Sequence, residues 1–318
     1  MSRRRFAVGR DELLFRAGTG LFALVLIAGV LAIGVELYRQ SRLSIQEFGW
    51  QFWQTDEWDP VTGVFGARPF IWGTLYSSVL AILISTPIAL GIAIYISELS
   101  PTWLRTPLVF LTELLAAIPS IVYGLWGIFV LVPFVRELQI ATPAWLKTVP
   151  LFTGPPLGVG MLSAALILAI MIVPFSASVA REVLRAVPQA QREGAYALGA
   201  TRWEAIRMAL FYARTGIVGS VMLGFGRALG ETMAVTMVIG NNPKISWSLF
   251  APQHTMSAVI ANEFAEATSD LYLHALIEIG LVLFVITLFV NGLSRLFIWS
   301  MARQRTARPR PSSALQAA

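Results

Sequence analysis

The chain has 318 residues, 56% of them hydrophobic and only 13% charged, with a mean hydropathy of +0.68. Soluble domains carry about 25% charge, so this composition excludes an ordinary soluble protein. The formal charge of +6 is almost wholly arginine, since Lys147 and Lys244 are the sole lysines among 24 basic residues, and the lack of cysteine removes disulfides and thiolate chemistry.

Apolar stretches with few charges run over residues 17–35, 71–96, 108–135, 157–179, 215–239 and 271–298. At ~20 residues per crossing they predict six transmembrane helices, an all-α membrane protein with one bundle over residues 17–300. The first stretch follows Arg3, Arg4, Arg5, Arg10 and Arg16. It exceeds the ~7–15 residue core of a cleaved signal peptide and reads as a membrane anchor behind a basic segment, 1–16. The tail, 301–318, bears Pro, Ser and Arg and is expected to be disordered. Seventeen Lys and Arg fall on one side of the six spans and six on the other, so both termini are expected in the cytoplasm.

Residues 38–70 lie on the far side and mix Trp50, Phe52, Trp53 and Trp58 with Glu47, Asp56, Glu57 and Asp59. This suits a loop at headgroup level, with a docking surface for a soluble partner as the second reading. Pro87, Pro119, Pro133 and Pro174 sit inside spans and are expected to kink helices. Glu113, near the start of the third span, and Glu278, two turns into the sixth, are weaker candidates for a substrate path.

A long basic loop, about 180–214, precedes the fifth span. Within it Pro188 suits a first helical turn, Gly199 a left-handed stop, and Thr201 with Glu204 a capping box opening the next helix. This spacing predicts two short helices at an elbow outside the bilayer; surface helices lying on the membrane are the plainer alternative.

The fifth span contains Arg227 and, four residues on, Glu231. A lone charge at mid-membrane costs from about 3 to over 10 kcal/mol, whereas residues four apart on a helix can pair. At about 100° per residue Ser220, Gly224 and Ala234 fall on the same face, a stripe that fits close packing against another subunit or a polar passage. One reading is a buried pair that locks helix packing. The other is a guanidinium offered to a passing oxyanion, with Glu231 orienting it and limiting its grip.

Enzymatic signatures are missing. Neither lysine follows a glycine as a Walker A loop requires, and neither H-E-x-x-H nor G-x-S-x-G occurs. No catalytic or metal-ligating residue is assigned, and His254 and His274 are too few for a histidine cluster.

The block E-G-A-x-x-L-G-A at 193–200 resembles the E-A-A-x-x-x-G signature of ABC importer permeases, with Gly194 in place of an alanine and Phe211 where many members carry proline. F-G-W-Q-F at 48–52, E-W-D-P-V-T-G at 57–63, L-L-A-A-I-P-S-I-V-Y-G-L-W-G at 114–127, G-R-A-L-G-E-T-M-A-V at 226–235 and N-E-F-A-E-A at 262–267 narrow the resemblance to the PstC-type permeases of phosphate ABC importers. That resemblance implies a type I importer permease fold and a bacterial inner-membrane location. It implies a coupling helix in which Arg192, Glu193, Gly194, Ala195, Leu198, Gly199, Ala200 and Thr201 meet the ATPase, and an anion path at Arg227 and Glu231. The implied partners are a PstA-type sister permease, a PstB-type ATPase dimer that binds ATP and Mg, a PstS-type periplasmic phosphate-binding protein, inorganic phosphate and the lipid bilayer. The chain itself is expected to bind no cofactor and no nucleic acid. Permeases for sulfate or molybdate, and an ATP-independent transporter, are the alternatives.

Overall fold

The computed structural model describes residues 10–306. Arg3, Arg4 and Arg5 and the end of the expected disordered tail lie outside the described residues; residues 301–306 of that tail continue the last helix.

Helix α1 (Arg10–Gln40) leads into α2 (Arg42–Phe48), a 3₁₀ turn (Gly49–Trp53) and a small antiparallel hairpin, β1 (Trp58–Asp59) with β2 (Val64–Phe65). There follow α3 (Arg68–Ile94) with a π-wound last turn (Tyr95–Leu99), α4 (Thr102–Ala117), α5 (Ser120–Trp126), a π-wound stretch (Gly127–Leu131), α6 (Val132–Ala141) and α7 (Ala144–Lys147). The chain continues through a 3₁₀ turn (Pro150–Phe152) into α8 (Met161–Arg185), α9 (Gln189–Ala197), α10 (Arg202–Gly230), α11 (Met233–Val238), α12 (Met256–Glu263) and α13 (Asp270–Thr306).

Six helical stretches among the described residues are long and apolar enough to cross a membrane: Leu14–Gln40, Arg68–Leu99, Ser120–Ala141, Met161–Arg185, Arg202–Gly230 and Asp270–Met301. The chain is thus a multi-pass membrane protein. Helix α8 forms the centre, with Ile167, Leu168 and Ile172 fully enclosed among α3, α10 and α11, while α1 lies outside the bundle and leans on α13.

Two of the six expected spans differ from the sequence reading. The apolar run 108–135 is two helices rather than one. Pro119 has no N–H to donate and disfavours helix at the residue before it, so Ile118 and Pro119 are extended (ψ 130° and 139°) and α4 stops short of the crossing that begins at Ser120. The fifth span starts at Arg202, earlier than expected, and ends at Gly230, because Glu231 is extended (φ −69°, ψ 128°) before α11 resumes. Phe211 replaces a helix-breaking proline, and α10 accordingly runs unbroken past it. Pro87 and Pro174 stay inside α3 and α8, and Pro133 occupies the first turn of α6.

Residues 42–67 are folded rather than an irregular loop. They pack into a cap on the ends of α3, α12 and α13, with Phe52, Phe65 and Phe70 buried. The Trp58 ring meets Phe65 and Phe70 edge-on, at 4.9 Å between centroids in each case, and its Nε1 donates to Glu263 Oε2 at 2.8 Å. Tyr272 donates to the same oxygen at 2.6 Å, so one carboxylate ties the hairpin to α12 and α13. The backbone N–H of Val61 donates to Asp59 Oδ1 at 2.9 Å and holds that carboxyl below its ordinary pKa.

The segment 246–256 closes the cap over α3. Trp72 Nε1 donates to the Ser246 carbonyl at 3.1 Å, the Tyr76 hydroxyl to the Trp247 carbonyl at 2.9 Å, and Met256 N–H to Thr74 Oγ1 at 2.9 Å. Gly73 lies so close to His254 that a Cβ there would overlap the His254 carbonyl oxygen. The His254 ring is buried against Phe70, and burial lowers its pKa to about 4.

Candidate translocation site and coupling elbow

Two helices are interrupted within the bundle, α4/α5 at residues 118–119 and α10/α11 at 231–232, and their second halves meet. Gly124 of α5 allows the contact, since a Cβ there would come within 2.6 Å of Met237 Sδ and 3.1 Å of Ala234 Cα on α11. The Tyr123 hydroxyl bridges the first break by donating to the Leu115 carbonyl at 2.8 Å. At the second, Glu231 N–H returns to the Ala228 carbonyl and Ser257 Oγ donates to the Glu231 carbonyl at 2.8 Å. Each opened backbone is thereby partly satisfied, as interrupted helices in membranes require.

Arg227 occupies the last turn of α10, beside the second break, and is exposed in the isolated chain. Its guanidinium stands 5.6 Å from the centre of the Phe175 ring. Phe175 is about 21 Å along α8 from Met161 and about 15 Å from Arg185 at 1.5 Å per residue, so Arg227 lies near mid-height of the bundle. Two neighbours, Phe175 and Tyr123, escape sequence reasoning, as does Asn291 of α13, whose Oδ1 flanks the adjacent Gly226. A single aromatic or amide inside an apolar span carries no signal that sets it apart.

The expected Arg227–Glu231 ion pair is not formed. The helix ends before Glu231, so the i, i+4 relation that would bring the two side chains together does not apply, and no carboxylate lies within 4.0 Å of Arg227 among the described residues. The small-residue stripe also faces elsewhere than expected. Ser220 and Gly224 are buried within the chain, where a Cβ on Gly224 would stand 2.6 Å from Ser176 Oγ and 2.9 Å from Ile172 Cγ2 of α8. Ala234 belongs to α11.

The other two acids lie away from this centre. Glu113, on α4, is 3.6 Å from Arg181 of α8, which also meets Glu182 at 2.7 Å. Arg181 is six residues past Phe175, about 9 Å further along α8. Glu278 is buried on α13 beside Ser44 of α2, thirteen residues or about 20 Å before Asn291.

At the end of the bundle that holds both described termini, α8, α9 and α10 form an elbow. Thr201 accepts from Glu204 N–H at 3.4 Å while Glu204 Oε2 accepts from Thr201 N–H at 2.7 Å, the reciprocal box read in the sequence. Gly199 has φ +81°, the left-handed stop. Thr201→Ala is expected to lower helix stability by about 1 kcal/mol, read as a lower unfolding midpoint of the purified chain, with Thr201→Ser near wild type. Glu193, Gly194 and Gly199 are exposed, as are Thr201 and Leu198, the last at 91%. Ala200 is half-buried. Arg192 and Ala195 point inward, against the expectation that they face a partner.

Residues 85–303 match the sequence family described as binding-protein-dependent transport system inner membrane component. The chain belongs to this family. The match covers the elbow, Arg227 and both helix breaks, and leaves out the cap residues before α3. This inner-membrane component is 47% identical over 298 residues to the phosphate transport system permease protein PstC of Mesorhizobium japonicum, covering 92% of this chain and 90% of that one. It is 48% identical over 310 residues to the PstC of Haemophilus influenzae, covering 96% and 98%. A chain of the crystal structure of a bacterial alginate ABC transporter, in complex with alginate pentasaccharide-bound periplasmic protein, superposes with a TM-score of 0.59 over 96% of this chain and 100% of that chain, at 17% identity. The shared fold is that of an ABC importer permease.

Proposed function

We propose that the chain is the permease subunit of an ATP-driven phosphate importer of the bacterial inner membrane, with both termini in the cytoplasm. The observation that carries this reading is Arg227: an arginine with no ion-pair partner among the described residues, at mid-height, on a face left open in the isolated chain, inside a chain nearly half identical to phosphate permeases over almost its whole length. The basic side of the spans is the elbow side, which the positive-inside rule places in the cytoplasm.

In this reading a PstA-type sister permease completes the passage against the open Arg227 face, and a PstB-type ATPase dimer, holding ATP and Mg, grips the elbow at the exposed Glu193, Gly194, Leu198, Gly199 and Thr201 and the half-buried Ala200. A PstS-type binding protein delivers phosphate at the cap. The chain moves phosphate without making or breaking a bond to phosphorus, and binds no cofactor of its own. Arg227 contributes charge and a planar fork of donors. Glu231, just past the end of the same helix, adds negative charge that weakens the hold on an anion that must leave again. Glu113 and Glu278 serve the fold, one through Arg181 and the other beneath α2.

Uptake of radiolabelled phosphate and sulfate by cells lacking this chain tests the reading. Wild-type complementation is expected to restore phosphate uptake alone. Restoration of sulfate or molybdate uptake instead would move the substrate to another oxyanion, and uptake that persists without the ATPase would remove the importer reading.

A further inference from the structure

Arg192 is the most heavily engaged side chain of the elbow. Its Nη2 and Nε grip the carboxylate of Glu98 at 2.7 and 3.2 Å, and the same guanidinium donates to the carbonyls of Val187 at 2.8 Å and Leu184 at 2.9 Å. Both partners are largely withdrawn from solvent, with side-chain exposures of 22% for Arg192 and 11% for Glu98. Glu98 belongs to the π-wound last turn of α3, a winding often found at functional positions. Arg202, the first residue of α10, donates to the backbone carbonyl of the same Glu98 at 2.7 Å. The last turn of α3 therefore holds both arms of the elbow, although 94 residues separate Glu98 from Arg192.

The opposite end of α3 is fastened as firmly. Trp72, Thr74 and Tyr76 hydrogen-bond to Ser246, Met256 and Trp247, and Gly73 abuts the His254 carbonyl. Ser257, which follows Met256, holds the carbonyl of Glu231 at the break beside Arg227. A continuous path of contacts thus runs from the elbow through Glu98, along a helix about 48 Å long, over Thr74 and Met256, and down through Ser257 to the interrupted helix.

We infer that Arg192 and Glu98 form a latch through which displacement of the elbow is passed to α3, and that α3 carries it to the helix break next to Arg227. The inference rests on the ATP-driven importer reading above. Arg192 and Glu98 are positioning residues: neither touches the transported anion, and the inward turn of Arg192 takes it out of the surface offered to the ATPase. A bidentate pair suits the task because its planar fork fixes orientation as well as distance, so the elbow cannot pivot on α8 and α10 alone.

The test uses the complete importer in proteoliposomes, with ATP hydrolysis and phosphate transport measured together. Glu98→Gln and Arg192→Gln are expected to assemble and hydrolyse ATP while the ATP consumed per phosphate moved rises about tenfold. The exchange Glu98→Arg with Arg192→Glu is expected to bring the ratio back toward wild type. A ratio unchanged in both single variants overturns the latch, whether transport stays normal or falls in step with hydrolysis. So does failure of both single variants to assemble with no recovery in the exchange, which would make the pair a folding element. Wild-type hydrolysis without phosphate transport strikes instead at the substrate assignment, and the ratio measured with whichever oxyanion is carried then decides the latch.

Discussion

Arg227→Gln is expected to reduce phosphate uptake about 100-fold or more while leaving the amount of chain in the membrane unchanged. Opposite unit charges 4 Å apart attract by about 4 kcal/mol at an effective dielectric near 20, and each 1.4 kcal/mol is a factor of about ten. Glutamine removes that attraction. It leaves the fold intact, because Arg227 makes no ion pair among the described residues and its contact with the Phe175 ring is long. Arg227→Lys keeps the charge and loses the planar fork, so uptake between the two is expected. The measurement is initial-rate uptake of labelled phosphate, normalised to membrane-inserted chain. Wild-type uptake by the glutamine variant would reduce Arg227 to a helix-end charge stabilising the C-terminus of α10.

Gly73→Ala is expected to cost about 3 kcal/mol, enough to deplete folded chain from the membrane. The added methyl meets a backbone carbonyl, that of His254, which cannot swing aside as a side chain can. Relief requires α3 and the 246–256 segment to part, breaking the hydrogen bonds that Trp72, Thr74 and Tyr76 make there. Gly91→Ala in the same helix is the control. Its surroundings are open, and an added Cβ there gains about 1 kcal/mol of helix propensity. Thermal unfolding of the purified variants separates the two: a lowered midpoint for position 73 and an equal or raised one for position 91. Equal midpoints would show that the cap yields at His254.

Features set by neighbours in the chain were legible in the sequence, and features set by tertiary contact were not. The capping box at Thr201 and Glu204 and the stop at Gly199 depend on residues three or four apart, so spacing suffices to read them. The break at Pro119 had a chemical sign in the proline, yet the apolar run around it continues and hydropathy joined α4 to α5. Glu231 had no such sign. Its helix-compatible spacing from Arg227 suggested a pair that the extended backbone at 231 removes. Arg192 was placed correctly on the elbow and given the wrong orientation, since its partner, Glu98, lies in another helix. The cap was underestimated for the same reason. Trp58 and Phe65 face each other across a hairpin whose stability comes from Tyr272 and Glu263, some 200 residues later.

The elbow's construction has a consequence for biogenesis. Its own turns close over very short chain distances: Gly199 to Tyr196, Ala200 to Ala195, Thr201 to Glu204, Arg192 to Val187. Contacts this local form in microseconds, whereas residues leave the ribosome at about 5–20 per second. The elbow can therefore take its shape as it emerges, once the first turn of α10 has been synthesised and before the rest of that helix follows. Glu98 has by then been synthesised and waits at the end of α3, so the growing chain meets a receptor for Arg192 already in position. The elbow is in this way aligned during translation, ahead of the last two membrane crossings.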